Sequence, residues 1–123
     1  MKIDLRLRFS LCFVDISCND SISVLLYSGS VTIVCVLNQT ATFDLINVTK
    51  ISTSNLKEEI AQISNEGNVI PISADDNIVV TYTTRVITIT VNNVSCSDEG
   101  VFRVAAVLGD ELVIAQTAIT IHR

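Results

Sequence analysis

The stretch of sequence that decides the fold is residues 89–104, ITVNNVSCSDEGVFRV. Its two ends are rich in the β-branched and aromatic residues that favour strands. Its middle carries Asn, Ser, Asp98 and Gly100, which favour a tight turn. The stretch therefore predicts a strand, a tight corner and a second strand.

The corner itself has a physical explanation in two of its residues. Gly100 lacks a Cβ and permits a close approach of the backbone at this point. The carboxylate of Asp98 is placed to accept a hydrogen bond from its own turn or to pair with a basic side chain. Arg85 is the candidate partner that the sequence offers.

The rest of the chain repeats the same pattern of short strands and turns. Residues 55–64 fit either a short helix or a polar strand, since Leu56, Ile60 and Ile63 have helical spacing. A terminal hairpin is predicted around residues 109–111. The other predicted strands cover residues 21–27, 31–37, 42–52, 78–82 and 85–91. About eight short strands at regular spacing indicate a single all-β domain built as a two-sheet sandwich.

The corner and its flanking strands resemble the E strand, E–F corner and F strand of the immunoglobulin superfamily, whose pattern is L-x-I-x-x-V-x-x-x-D-x-G-x-Y-x-C. Positions that hold the expected kind of residue are Ile89, Val91, Val94, Asp98, Gly100 and Phe102. The resemblance is to variable or intermediate types, and it implies an antiparallel, Greek-key, immunoglobulin-like sandwich. Residues 96–100 are similar in style to diverged invertebrate domains, including those of molluscan immune proteins.

The chain departs from the family pattern in its core. Val104 stands where the family has its F-strand Cys, and Phe102 replaces Tyr, which removes a hydroxyl hydrogen bond of roughly 1 kcal/mol. No Trp is present, so Phe43 or Leu45 is expected to fill that space. The resemblance places Cys35 on the family's B strand and makes Val104 its apolar counterpart across the sandwich.

The four cysteines are Cys12, Cys18, Cys35 and Cys96, which allow three full pairings. Their spacing fits no zinc site. Cys35 is expected to be buried and unpaired, acting as a small apolar residue. Cys96 is expected to be exposed at the corner, with a partner in the N-terminal segment or in another chain.

Four Asn-x-Ser/Thr sequons are candidate glycosylation sites, at Asn19, Asn38, Asn47 and Asn93. Asn38 follows a predicted strand and is the favoured site. Asn47 falls within a strand, where occlusion is expected.

The N-terminal residues require a separate prediction. Residues 2–11 alternate strictly between apolar and polar side chains, which predicts a half-buried strand. We assign residues 1–18 to an N-terminal extension or a strand from a preceding module, and residues 19–123 to the immunoglobulin-like domain. The apolar run of residues 9–14 is too short for a signal peptide. An extracellular location therefore implies a leader that is absent from or truncated in this sequence.

Charge and hydropathy argue against two classes of partner. Eight basic and thirteen acidic residues give a net charge of −5, which disfavours binding to nucleic acid. A membrane-spanning helix needs about 20 consecutive apolar residues, and every apolar run in this sequence is much shorter.

Catalytic patterns and cofactor patterns are missing from the sequence. It contains no nucleophile elbow, phosphate loop or metal-binding pair of histidines, so we expect neither an enzyme nor a cofactor. Glu58 and Glu59 are expected on the surface. The run Asp75, Asp76 and Asn77 lacks the ligand spacing of a calcium loop, and is expected to be a turn.

Two functions fit these observations. The first is a non-enzymatic, extracellular recognition or adhesion module of immunoglobulin type, within a larger secreted or cell-surface protein, with a protein or glycan ligand. Binding would use a sheet face or the loops at residues 37–42, 65–69 and 108–112. The alternative is a structural spacer whose partners are neighbouring domains of the same chain, favoured because these loops carry no aromatic residue.

Overall fold

The computed structural model describes residues 15–26, 29–38 and 42–122. The described residues form ten β-strands and one short 3-10 turn, η1 (Cys96–Asp98). The strands are β1 (Ile16–Cys18), β2 (Ile22–Leu25), β3 (Val31–Leu37), β4 (Leu45–Ser52), β5 (Lys57–Ser64), β6 (Val69–Pro71), β7 (Ile78–Thr83), β8 (Val86–Val91), β9 (Gly100–Leu108) and β10 (Glu111–His122). The predicted strand over residues 2–11 lies outside the described residues, as does Cys12.

The strands form two sheets. The four-stranded sheet has the order β1-β3-β8-β7, and the six-stranded sheet has the order β2-β10-β9-β4-β5-β6. All pairs are antiparallel except β2 with β10, which run parallel. The prediction of an all-β chain with two largely antiparallel sheets is confirmed.

One apolar core receives side chains from both sheets. Alternate residues of β3 and β8 are buried, as are those of β4 and β9, which is the period of two that a half-buried strand requires. Cys35 from the four-stranded sheet and Val104 from the six-stranded sheet both belong to this core. Phe43 is buried and packs edge-on against Tyr82, with ring centroids 5.8 Å apart. Leu45 was the other candidate for the space of the missing Trp. It lies on the outward side of β4, whereas Ile46 and Val48 of that strand face the core.

The ambiguous segment at residues 55–64 forms strand β5 and contains no helix. Its helix-like spacing of apolar residues comes from an irregularity in the pairing with β4: Val48 pairs with Ala61, while Thr49 pairs with Glu59. Ile60 is the extra residue, and both Ile60 and Ala61 are buried. A β-bulge of this kind interrupts the alternation of a strand, and the sequence then mimics a helical period.

The predicted terminal hairpin is confirmed. Strands β9 and β10 are antiparallel partners, from the pair Leu108 and Glu111 beside the turn to the pair Gly100 and Ile119 at the far end. Residues 16–18, which the sequence assigned to the N-terminal segment, form β1 and pair with β3.

The disulfide corrects one prediction. Cys35 does not remain unpaired: it forms a disulfide with Cys18. The two residues are direct partners in the antiparallel β1–β3 pair, with Cα atoms 4.0 Å apart. Residues opposite each other in a non-hydrogen-bonded antiparallel pair are near enough for such a bridge. The bond therefore joins two neighbouring strands of the four-stranded sheet.

Candidate functional site

The corner between β8 and β9 is held by a buried charge pair. Asp98 Oδ2 accepts a hydrogen bond from the Ser95 amide at 2.8 Å, and Asp98 Oδ1 lies 3.7 Å from Lys50 Nζ. The side chains of Lys50 and Asp98 are only 9% and 7% exposed. Lys50 comes from β4, so the pair ties the six-stranded sheet to the corner that follows β8.

The prediction that Arg85 pairs with Asp98 is wrong. The Arg85 guanidinium donates to the Asn38 carbonyl oxygen, 3.3 Å away, at the end of β3. Arg85 precedes β8 whereas Asp98 follows it, so the length of the strand separates them. Lys50 was missed because it occupies an inward position of β4, where the alternation of the strand predicts an apolar residue.

Gly100 begins β9 with φ of 146°, a conformation that residues with a Cβ rarely adopt. A Cβ at this position would overlap the carbonyl oxygen of Ile51 and would lie 3.2 Å from the Cα of Ser52. The close approach of β9 to β4 therefore depends on this glycine. Phe102 and Val104 follow on the inward side of β9 and are fully buried.

The four sequons occupy different environments. Asn19 is exposed, and its side-chain oxygen accepts a hydrogen bond from the Val34 amide. Asn38 is exposed, and its Oδ1 accepts from the Asp15 amide at 2.9 Å. Asn93 is exposed in the turn after β8, with φ of 52°. Asn47 lies mid-strand in β4, and its Oδ1 is buried without a hydrogen-bond partner among the described residues.

Cys96 is exposed in η1. Its candidate partner in the N-terminal segment, Cys12, is not among the described residues.

The acidic turn at residues 75–77 is organised by its own backbone. Asp75 Oδ1 accepts a hydrogen bond from the Asn77 amide at 2.9 Å. Asp75 and Asp76 border a cleft of about 260 Å³ between β5, β6 and β7, whose other walls are mainly apolar. Across residues 15–122, wherever the chain is described, His, Cys, Asp and Glu side chains form no group of three that could hold a metal ion.

A contact that the sequence did not predict joins Ser23 and His122. Ser23 Oγ lies 2.5 Å from His122 Nε2, where parallel β2 runs beside the end of β10. A catalytic serine needs its histidine oriented by a third group. In the described part of the chain no such group contacts the imidazole. The contact links β2, at one edge of the six-stranded sheet, to its neighbour β10. The two residues are 99 positions apart in the sequence, so the contact could not be predicted before the pairing of these strands was known.

An apolar surface that includes exposed side chains lies on the outward side of the six-stranded sheet. Inward residues of β9 are Phe102, Val104 and Ala106, so the residues between them point outward. We name the adjoining apolar residues at the end of this side nearest the 109–110 turn the outer patch. Its residues are Leu45, Ala105, Val107, Leu112 and Ile114.

The outer patch is continuous across strands. Leu112, Val107 and Leu45 are aligned across β10, β9 and β4, and Ile114 and Ala105 form the next row. Leu112 is 59% exposed and Ile114 48%, whereas Leu45, Ala105 and Val107 are partly buried. Isolated exposed apolar residues are common, but a continuous exposed group marks an interaction surface. In the sequence, Leu112 and Ile114 are apolar residues at alternate positions of β10. Such a pattern suggests a side that faces the core, and only the order of the strands shows that these residues face outward.

The turns at one end of this sheet carry carboxylates. Leu45, Val107 and Leu112 form the last full row of the sheet, so the 65–68 turn and the 109–110 turn lie at the same end. Asp110 is exposed, and Asp44 accepts a hydrogen bond from the Gly109 amide at 3.1 Å. Towards the other end of β9, Arg103 Nε donates to Gln116 Oε1 at 3.2 Å.

No protein-family model matches this chain, and no curated protein matches it significantly. Within the described residues, no helix has the length and apolar content needed to cross a membrane.

Proposed function

We propose that the chain is a non-enzymatic recognition module of immunoglobulin type, which binds a protein partner through the outer patch and works outside the cell. The observation that carries the proposal is the continuous, solvent-exposed apolar surface across β10, β9 and β4. Large contiguous apolar patches are rarely exposed on monomeric soluble proteins unless they serve an interaction.

The strand order supports the immunoglobulin assignment. In variable-type domains, strands A, B, E and D form one sheet, and strands G, F, C, C′ and C″ form the other. The orders β1-β3-β8-β7 and β10-β9-β4-β5-β6 follow this arrangement, with β2 as a second half of the first strand. Under this assignment the connections are those of a Greek key, and the corner at residues 98–100 is the E–F corner.

The disulfide supports an extracellular location. Structural disulfides form and persist in oxidising compartments and are rare in the cytosol. Cys18 and Cys35 are joined. Because the bridge lies within one sheet, it does not join the two sheets, and these are held together by the apolar core that contains both Cys35 and Val104.

A structural spacer is the second candidate, and one observation favours it. The turns at residues 65–68 and 109–110 contain Asn, Glu, Gly and Asp but no aromatic side chain that would anchor a ligand. In a spacer, the outer patch would be covered by a neighbouring domain of the same protein.

The test is a binding screen of the secreted, multimerised chain against an array of extracellular domains that includes the chain itself. We expect saturable binding to at least one domain, and we expect Ile114→Asp to abolish it. Val79→Asp is the matched control, because Val79 is 45% exposed but lies on β7 of the other sheet. Binding that survives Ile114→Asp would overturn the use of the outer patch. Absence of any binding would favour the spacer.

A further inference from the structure

We propose that Asn93 carries an N-linked glycan, attached at the end of the molecule opposite the outer patch. The proposal rests on the extracellular location in the proposed function, since N-linked sugars are added to secreted and cell-surface chains. The sequence offers four sequons, and Asn93-Val94-Ser95 is one of them. The structure separates this sequon from the others by the environment of its Asn side chain.

Asn93 is exposed in the turn between β8 and η1, and its neighbours fix its backbone. The Asn92 amide donates to the Asn77 carbonyl oxygen at 2.7 Å, and the Val94 amide donates to the Gly29 carbonyl oxygen at 2.9 Å. Val94 is fully buried. Within the described residues, no group hydrogen-bonds to the Asn93 side chain, so its Nδ2 is free to carry a sugar.

The conformation of the turn suits an asparagine with or without a sugar. The φ of Asn93 is 52°, in the left-handed region that Asn tolerates better than most residues. The sugar is joined to Nδ2, at the far end of the side chain, so the backbone keeps the same conformation in both forms. Ser95, the third residue of the sequon, is the N-cap residue of η1. The folded turn therefore accommodates the modified residue without rearrangement.

The modification needs one co-substrate, an oligosaccharide linked to a lipid pyrophosphate. A bond forms between Asn93 Nδ2 and the anomeric carbon of the first sugar, while the bond from that carbon to the pyrophosphate oxygen breaks. The lipid pyrophosphate leaves with the bonding electrons, and Nδ2 loses one proton. Neither reactant is oxidised or reduced.

Asn47 is the sequon whose modification would conflict with the outer patch. It lies mid-strand in β4, directly beside Ala105 of β9, and its Oδ1 is buried. A sugar on Asn47 would cover Ala105 and the row to which it belongs. Asn93 instead precedes the corner that leads into Gly100, and Ala105 lies five positions after Gly100, or about 17 Å along β9. A sugar on Asn93 therefore leaves the outer patch open.

Asn19 takes part in the pairing of strands. Its side-chain oxygen accepts a hydrogen bond from the Val34 amide, and its backbone amide donates to the Val34 carbonyl oxygen at 3.2 Å. This double contact holds the Asn19 side chain against β3, so we expect no sugar there. The sequon at Asn38 continues into residues 39 and 40, which lie outside the described residues, and occupancy of that site leaves the proposal for Asn93 unchanged.

The experiment maps sugars on the chain of residues 1–123, secreted from insect cells behind a cleavable leader peptide. A peptide N-glycosidase in ¹⁸O-water converts each glycosylated Asn to an ¹⁸O-labelled Asp, which mass spectrometry of the peptides locates. We expect the label at Asn93 in most chains and none at Asn47. If the chain stays in the cells, the same mapping is made on the cell-associated protein. Absence of the label at Asn93 in the recovered protein would overturn the proposal.

Matched variants assign the sugar to this sequon. Asn93→Asp keeps the size of the side chain, and should lower the intact mass by one glycan. Ser95→Thr keeps the sequon and should retain the sugar, whereas Ser95→Ala should lose it. Asn47→Val should leave the glycan mass unchanged. Circular dichroism should show that each variant is folded, and an Asn93→Asp chain with unchanged glycan mass would contradict the assignment.

Loss of the glycan site and loss of the recognition function are distinguishable. A chain without sugar at Asn93 that binds an arrayed domain, and loses that binding with Ile114→Asp, overturns the glycan site alone. A secreted chain that carries sugar on Asn47 overturns the outer patch as the binding surface, and the label at Asn93 still decides the glycan site.

Discussion

Lys50 Nζ lies 3.7 Å from Asp98 Oδ1, and the two buried side chains link β4 to the corner between β8 and β9. The position of Lys50 within the alternation of β4 is otherwise that of a core residue. Water is largely excluded from both charges, so each depends on the other for compensation.

Replacing Lys50 by Met should therefore be strongly destabilising. Lys50→Met leaves the Asp98 carboxylate buried without its counter-ion, and we expect a loss of about 3–5 kcal/mol in the free energy of unfolding. Urea denaturation measures it. Lys57→Met, at an exposed site on β5, is the control and should change stability by no more than about 0.5 kcal/mol. The double variant Lys50→Met/Asp98→Asn should be more stable than Lys50→Met alone. An effect of Lys50→Met similar to that of the control would contradict a buried pair.

Gly100 should not tolerate even alanine. In Gly100→Ala the new Cβ overlaps the Ile51 carbonyl oxygen, and φ of 146° is unfavourable for any residue with a Cβ. We expect a loss of about 3 kcal/mol or more, measured by thermal or urea unfolding.

Gly109→Ala is the matched control for this substitution. Gly109 also has a positive φ, 62°, but no atom lies within 4 Å of the position that an alanine Cβ would take. The expected cost is only about 1–2 kcal/mol, from backbone conformation alone. Equal costs at the two glycines would show that the approach of β9 to β4 is not tight.

Removing the disulfide should lower stability without changing the fold. Cys18 and Cys35 are 17 residues apart, and closing a loop of this length contributes about 3 kcal/mol, chiefly by restricting the unfolded chain. We expect Cys18→Ala/Cys35→Ala to lose about that amount, plus a smaller contribution from the buried Cys35 side chain. Peptide mapping of the non-reduced wild-type protein should recover the Cys18–Cys35 link. Recovery of Cys35 joined to Cys12 or Cys96 would refute the pairing.

Asn47 offers a stabilising substitution. Its Oδ1 is buried without a hydrogen-bond partner among the described residues, which costs about 1–3 kcal/mol. Val removes that atom and favours the strand. In protein made without N-glycosylation, we expect Asn47→Val to raise the free energy of unfolding by about 1 kcal/mol.

Asn47→Asp provides the comparison, since it keeps the shape of the side chain and puts a charge on the same buried position. It should be destabilising, because burial of an unpaired charge costs more than burial of an amide. A destabilising effect of Asn47→Val would instead show that the amide contributes a favourable contact.

Strand positions could be predicted from the sequence because burial on one face of a sheet imposes a local period of two. Residues 31–37 match β3, and the terminal hairpin lies where its turn residues placed it. The prediction was ambiguous at β5, where the bulge at Ile60 places consecutive residues in the core and destroys that period. The short strand β6 was not predicted, since three residues are too few to display any period.

The sequence by itself determined that this chain forms a series of short β-strands, and that a tight corner at Asp98 and Gly100 joins two of them. Only the tertiary structure decided which strands are neighbours, and hence that Cys18 meets Cys35, that Lys50 rather than Arg85 meets Asp98, and that Leu112 and Ile114 face solvent. The physical reason is that side-chain alternation is a property of a few adjacent residues, whereas the pairing and order of strands depend on how the entire chain buries its apolar sides together. Residues far apart in sequence carry no local signal of their contact.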